Sequence, residues 1–225
     1  MLTDYHCHAL PGVDDGAESP GMSIKMLEVM KCHGVERVIF TPHFYAHREM
    51  SVDYFLKHRK EAFCSISKKT PIKNCFLGAE VAIEKGISDI NGIEKLAIEG
   101  TKLILLELPY GDYSSWIPEE IYNIAYDTGF TPIIAHVHRY THWYSKDEMS
   151  EVFDTKAIFQ INAEAFGKLG SRRYVNRLIK NGLRPVFGSD CHNLDSRKPN
   201  FDILKKKVSP EIIKSSDEIL DKYSI

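Results

Sequence analysis

The sequence has no excess of positive charge: 29 Lys and Arg stand against 31 Asp and Glu, a formal net charge of −2. The basic field that draws proteins onto nucleic acid or an anionic membrane surface is therefore lacking. Long apolar runs are missing too. A run such as Leu103–Leu106 falls far short of the roughly 20 residues a membrane helix needs. The amino terminus, MLTDYHCH, carries no positive region followed by an apolar stretch, so no secretory signal is expected. Five cysteines, odd in number and without a Cys-x-x-Cys pair, support neither a disulfide framework nor a zinc ribbon. Reduced thiols in a cytoplasmic protein are expected. No Pro/Gly/Ser-rich linker, low-complexity tract or strict repeat divides the chain, and one domain over residues 1–225 is expected.

What is present is a rhythm of short strand and then helix. Runs rich in β-branched and aromatic residues read LTDYHC, ERVIFT, NCFLGAEV, KLILLEL, TPIIAHV, AIFQINA and RPVFGS. Helical patterns lie between them. The clearest has Ser19 as N-cap, Pro20 at the first helical position and Gly34 as its stop. Within it Met22, Met26, Val29 and Met30 recur at helical spacing and predict one buried face. VDYFLKHRKEAFCSISKK, IPEEIYNIAYDTG and RRYVNRLIKNG predict further helices, the last two closing on glycine. Seven strands alternating with helices imply parallel βαβ units, enough to close an α/β barrel. A doubly wound open sheet is the alternative.

Nearly every predicted strand ends in a residue suited to a metal ion. The first gives His6 and His8, the second His43, the third Glu80, the fourth Glu107, the fifth His136, and the seventh Asp190 and His192; Asp15 follows in the loop TDYHCHALPGVDDG. In a parallel barrel all strand C-termini open onto one face, so these scattered residues would converge. Taken singly, each has a structural reading: Glu107 as a helix cap, Asp15 as a turn residue beside Gly16. Recurrence at corresponding strand ends, directly after apolar runs, argues against that reading for the set. Such a set exceeds the needs of one tetrahedral zinc, and two or three ions bridged by a carboxylate such as Glu80 would use it. Imidazole and carboxylate without thiolate favour Mn, Fe or Zn over calcium. Clustered ions of this type activate water and clamp a phosphoryl group, so phosphoester hydrolysis is the expected reaction class.

The motifs DYHCH, TPH, GAE, LELP, AHVHRY and GSDCHN, from Tyr5 to about Arg197, together resemble the polymerase and histidinol phosphatase (PHP) superfamily. More narrowly, HCHALPGVDDG followed by TPH and the later His-Val-His-Arg-Tyr resembles the bacterial tyrosine phosphatases of capsule and exopolysaccharide clusters, the CpsB/CapC type. The resemblance implies a distorted (β/α)7 barrel, three metals (usually manganese), and phosphotyrosine on the tail of a bacterial tyrosine autokinase as substrate. It further implies one ion on His6, His8, Glu80 and Asp190, a second on Glu80, Glu107 and His136, and a third on Asp15, His43 and His192. Arg139 and Arg197 match the pair that grips phosphate. One position departs: His138 stands where the family has an acid, which introduces a group expected to titrate near neutrality and to alter metal preference or pH optimum. His47, His142 and Trp143 are expected in surface loops at the mouth of the site, and Asn162 ends the sixth strand.

Two rival readings remain at this stage. One keeps the fold but takes a small phosphomonoester such as histidinol phosphate; the other is a non-catalytic scaffold that binds a kinase. A cysteine mechanism is disfavoured. Cys191 and Arg197 have the spacing of a cysteine phosphatase loop, but His-Asn-Leu-Asp-Ser between them contains no glycine and includes Asp195.

Overall fold

The computed structural model describes residues 1–225. Its strands are β1 (Leu2–Cys7), β2 (Val35–Phe40), β3 (His43–Phe44), β4 (Asn74–Leu77), β5 (Glu80–Ala82), β6 (Leu103–Glu107), β7 (Thr131–Ile134), β8 (Ile158–Asn162) and β9 (Val186–Gly188). Every pairing between them is parallel. Residues 74–81, expected as one strand, are interrupted at Gly78–Ala79, and β2 is likewise continued by the short β3. Hydrogen bonds from Gly78 N to Phe40 O (2.8 Å) and from Glu80 N to Pro42 O (3.0 Å) carry the pairing across both breaks. The first and last strands meet through Asp190 N to His6 O (2.7 Å) and His8 N to Cys191 O (3.0 Å). The result is a curled parallel sheet of seven staves, a distorted (β/α)7 TIM-like barrel.

Helices cover the outside: α1 (Pro20–Cys32), α2 (Val52–Ile66), α3 (Trp116–Thr128), α4 (Lys146–Asp154), α5 (Leu169–Lys180), α6 (Asp202–Lys207) and α7 (Pro210–Lys222). Between β5 and β6 two 3₁₀ turns stand in place of a helix, which is one source of the distortion. In α1 the Ser19 hydroxyl accepts from Met22 N, and Gly34 adopts φ 86° just past its end. Its buried face is Ser23, Met26, Leu27 and Met30, whereas Met22 and Val29 are only half-buried. The face is rotated from the expected one because the Ser23 hydroxyl donates to Ala9 O at 2.7 Å, turning that side of the helix onto the loop after β1.

The strands are apolar on both faces, as a sheet covered on both sides requires. Leu103 and Leu105 join Tyr5, Ile39, Ile133, Ala135 and Val186 in a small inner cluster, while Ile104 and Leu106 pack outward among the helices. Leu220 of α7 belongs to the inner cluster and closes the floor of the barrel. There the Tyr5 hydroxyl donates to Ser216 O (2.9 Å) and accepts from Leu220 N (2.8 Å). Thr3 N donates to Asp217 (2.7 Å), and the Arg37 guanidinium reaches Thr3, Asp217 O and Asp221. No helix is long and apolar enough to cross a membrane.

One irregularity in β1 positions everything above the floor. Asp4 pairs with Val38 but Cys7 with Phe40, so three steps in β1 oppose two in β2. This bulge reverses the alternation of side chains. Tyr5 points into the floor cluster, yet His6 and His8, of opposite parity, also turn inward, and Cys7 faces the outer core. Gly188 permits the close approach of β9: a Cβ there would lie 2.6 Å from His6 Cβ and 2.7 Å from Gln160 Nε2. Gly188→Ala is therefore expected to destabilise the fold by roughly 1–3 kcal/mol, about 2–12 °C in Tm for a chain of this size. An unchanged melting curve would show that β9 is not wedged against His6.

Candidate metal centre

The bulge delivers His6 and His8 to the mouth of the barrel, where the other strand ends arrive as well. His43 begins β3, Glu80 begins β5, Glu107 ends β6, His136 follows β7, and Asp190 and His192 follow β9. His6, His8, Glu80, Glu107, His136, Asp190 and His192 are buried, His43 is half-buried, and Asp15 reaches in from the exposed loop after β1. Their ligand atoms form four overlapping groups: His6, His8 and Asp190; His6, Glu80 and His136; His43, Glu80 and Glu107; and His8, Asp15, His43 and His192. Shared membership of Glu80, His6, His8 and His43 suits a cluster of ions better than one. Glu107 lies 3.5 Å from His136 and 3.8 Å from His43, within reach of either neighbour.

The hydrogen bonds behind the rings decide what the hollow can accept. His6 Nδ1 lies 3.2 Å from Gln160 Oε1, His8 Nδ1 2.6 Å from Asp14 Oδ2, and His192 Nδ1 3.1 Å from Asp190 O. All three partners are acceptors, so each Nδ1 carries a proton and each Nε2 faces the hollow. Although burial opposes it, the Asp14 and Glu80 carboxylates raise the His8 imidazole well above its ordinary value, and a bound cation would displace the added proton. Yet the Nε2 atoms of His6 and His8 stand 3.0 Å apart, and both lie within 3.1 Å of Glu80 Oε2. Neither Glu80 Oε2, His43 Nδ1 nor His192 Nε2 has a hydrogen-bond partner despite burial. Imidazole nitrogens and carboxylate oxygens crowded in a buried hollow with partners missing lack a cation, and a divalent ion supplies it. The residues present therefore fit metal ions.

The backbone is strained at two of these positions. His136 and Asp190 have φ of 28° and 49°, a left-handed conformation uncommon outside glycine. Such strain costs of order 1–3 kcal/mol and survives where surrounding contacts over-determine it. Here Gln160 Oε1 accepts from His136 N at 2.7 Å, and the chain continues from Gln160 Nε2 to Asn162 (2.8 Å) and from Asn162 Nδ2 to Asp190 Oδ2 (3.0 Å). Asn162 is thus part of the support of the site. Asp14 and Gln160 were not singled out from the sequence, although alternate polar residues in the apolar strand IFQIN and the doubled aspartate of VDDG were visible signals.

Both predicted arginines line the bowl, a cavity of about 600 Å³. Arg139 grips Asp190 Oδ2 at 2.6 Å and Glu164 at 2.8 Å; Arg197 grips Asp190 Oδ1 at 2.9 Å. Two guanidinium forks thus flank one carboxylate. Tyr45 stacks on His43 and Tyr110 on His136, and with Ile83, Leu108 and Pro109 they make an apolar wall. His47 lies at the rim, paired with Glu84 at 2.7 Å, while Trp143 is exposed beside Tyr110. Cys7 and Cys191 are fully buried away from the bowl, and burial pushes the Cys7 thiol well up. His138 corrects an expectation: burial, reinforced by His136 and Arg139, pushes its imidazole down to about 3, so it does not titrate near neutrality.

The chain matches, over residues 2–219, the family described as capsular polysaccharide synthesis, CpsB/CapC. It is 28% identical to the putative tyrosine-protein phosphatase CapC of Staphylococcus aureus, covering 99% of this chain and 88% of the relative. It is 27% identical to the tyrosine-protein phosphatase YwqE of Bacillus subtilis (strain 168), over 94% and 87% of the two chains. A solved structure, described as YwqE from Bacillus subtilis and CpsB from Streptococcus pneumoniae, "unique metal-dependent tyrosine phosphatases", superposes with TM-score 0.77 at 21% identity, covering 100% of this chain and 96% of that one. The phosphotriesterase from Mycobacterium tuberculosis shares the fold at TM-score 0.55 and 11% identity, over 95% of this chain and 90% of its own.

Two expectations follow. Asp14→Ala should weaken metal retention about 10- to 100-fold, the scale of losing a carboxylate behind a ligating histidine; a chelator competition that leaves affinity unchanged would remove Asp14 from the site. His138 is neutral in the fold but protonates near its ordinary value when unfolded, so its contribution to stability is lost as pH falls from about 6.5 toward 3. His138→Gln should therefore lose less Tm than the native protein between about pH 7 and pH 5, by the equivalent of about 2 kcal/mol. Parallel losses would show the imidazole is hydrated.

Proposed function

The chain belongs to the CpsB/CapC family, and on that premise we propose that it is a metal-dependent protein-tyrosine phosphatase, a phosphoric monoester hydrolase. The observation that carries this reading is the buried hollow of imidazole and carboxylate donors with two arginines converging beside it. His6, His8, Asp190 and Glu80 would hold one ion, Glu80, Glu107 and His136 a second, and Asp15, His43 and His192 a third. Manganese is our first choice, with iron or zinc as alternatives, since the donors are imidazoles and carboxylates. When bound, such ions make water a competent nucleophile at neutral pH and neutralise phosphoryl charge.

The chain's own residues do the rest. The guanidinium groups of Arg139 and Arg197 present planar forks to the non-bridging phosphate oxygens and offset charge developing there. Each already holds one oxygen of Asp190, so both are oriented before substrate arrives. The wall of Tyr45, Leu108, Pro109 and Tyr110 suits the phenyl ring of phosphotyrosine. A bowl open toward half-exposed His47 admits a peptide, which favours a protein substrate over an enclosed small phosphomonoester. The names of the relatives support phosphotyrosine as the group hydrolysed, and the family supports a role in capsular or exopolysaccharide synthesis. We further assign as substrate the phosphotyrosine-bearing tail of a bacterial tyrosine kinase, met in the cytoplasm.

Phosphotyrosyl-peptide hydrolysis should vanish on verified metal removal and return with Mn²⁺; full turnover in the stripped protein would sink this reading. In the metal-loaded protein, Arg139→Ala and Arg197→Ala should each lower kcat/KM on the order of 10²-fold at unchanged metal content. Unaltered kinetics in both would return these arginines to a structural role. Cys191→Ser should retain most activity, because the thiol neither lines the bowl nor reaches solvent. A dead but folded and fully metallated serine variant would point to a cysteine mechanism.

A further inference from the structure

Behind Arg139, on the side away from the metal hollow, lies a second cavity of about 170 Å³ walled by His138, Arg139, His142, Glu164, Lys168 and Ser171. Arg139 lines both this cavity and the bowl. Lys168 is the N-cap of α5, and no side chain caps that helix, so the N–H groups of its first turn remain for an outside acceptor. Ser171 carries the same turn onto the cavity wall. The acid on the wall, Glu164, is already taken by Arg139 at 2.8 Å.

An independent feature points the same way. The His138 imidazole lines this cavity, is only 7% exposed, and its Nδ1 has no hydrogen-bond partner. A buried ring with an unanswered polar atom, a lysine and an uncapped helix end around one small polar cavity together lack an anion. Because a single guanidinium separates this space from the bowl, and an extended chain advances about 3.3–3.6 Å per residue, a peptide can reach both within a few residues.

We propose that this cavity receives a second anionic group of the phosphotyrosyl substrate, a carboxylate or a further phosphoryl group carried one to three residues from the reacting phosphotyrosine. Lys168, the amino end of α5 and His138 recognise it. The inference rests on the phosphatase reading and adds sequence selectivity to it.

The test uses the metal-loaded protein and phosphotyrosyl peptides that differ only in flanking residues: alanine, glutamate, lysine, or a second phosphotyrosine on either side. Native kcat/KM should be about tenfold higher with glutamate than with alanine, the scale of one charge-assisted contact. If the second phosphotyrosine gives the larger gain, the occupant is phosphoryl; if glutamate does, it is a carboxylate. Lys168→Glu should abolish that gain and favour the lysine-flanked peptide, a reversal that misfolding does not produce. Equal rates on all flanks, or an acidic preference that survives Lys168→Glu, overturn the inference alone. Failure to hydrolyse any of the peptides overturns the phosphatase reading and this inference with it.

Discussion

Glu80 Oε2 lies buried opposite the Nε2 atoms of His6 and His8, whose outer nitrogens are already engaged by Gln160 and Asp14. That opposition sets the terms for the rest of the mouth of the barrel. Gln160, Asp14 and the carbonyl of Asp190 hold the rings in one tautomer, and the left-handed turns at His136 and Asp190 aim the last donors inward. Removing any of these supports frees a ring to rotate or reprotonate. Because the ligands are preassembled at a cost in repulsion and strain, binding free energy of the ions is in part folding free energy.

Stability and chemistry are separated along the barrel axis. The floor is apolar and closed, with Leu220 packed against Tyr5 and the Arg37 guanidinium tying β1 and β2 to α7. The mouth is polar and loosely covered. This division is general for barrels whose active sites sit at strand C-termini. It lets the segments after β1, β7, β8 and β9 carry ligands, arginines and the Lys168 cavity without weakening the floor.

Much of this was legible beforehand, for identifiable reasons. Short β-branched runs separated by capped helical patterns marked the strands, and a polar residue closing an apolar run marked their useful ends. Other features depend on partners remote in sequence. Nothing in LTDYHC shows that a bulge lets Tyr5 and His6 both face inward, since strict alternation would send one of them outward. The rotated face of α1 depends on the carbonyl of Ala9, and the neutrality of His138 on how deeply its loop is packed. The 3₁₀ turns between β5 and β6 replaced a helix that no periodicity had demanded.

The seam between β1 and β9 has a consequence for how the molecule is made. His6 and His8 belong to β1, and their companions Asp190 and His192 follow β9 at the other end of the sheet. The helix that seals the floor follows later still. The groups that include Asp190 or His192 cannot close around an ion until β9 docks beside β1, whereas His6, Glu80 and His136 need no donor beyond the end of β7. Contacts of such long sequence separation slow folding, and the unfinished sheet presents open edges while it waits. An ion held by Asp190 or His192 together with His8 therefore reports that the whole circle has closed.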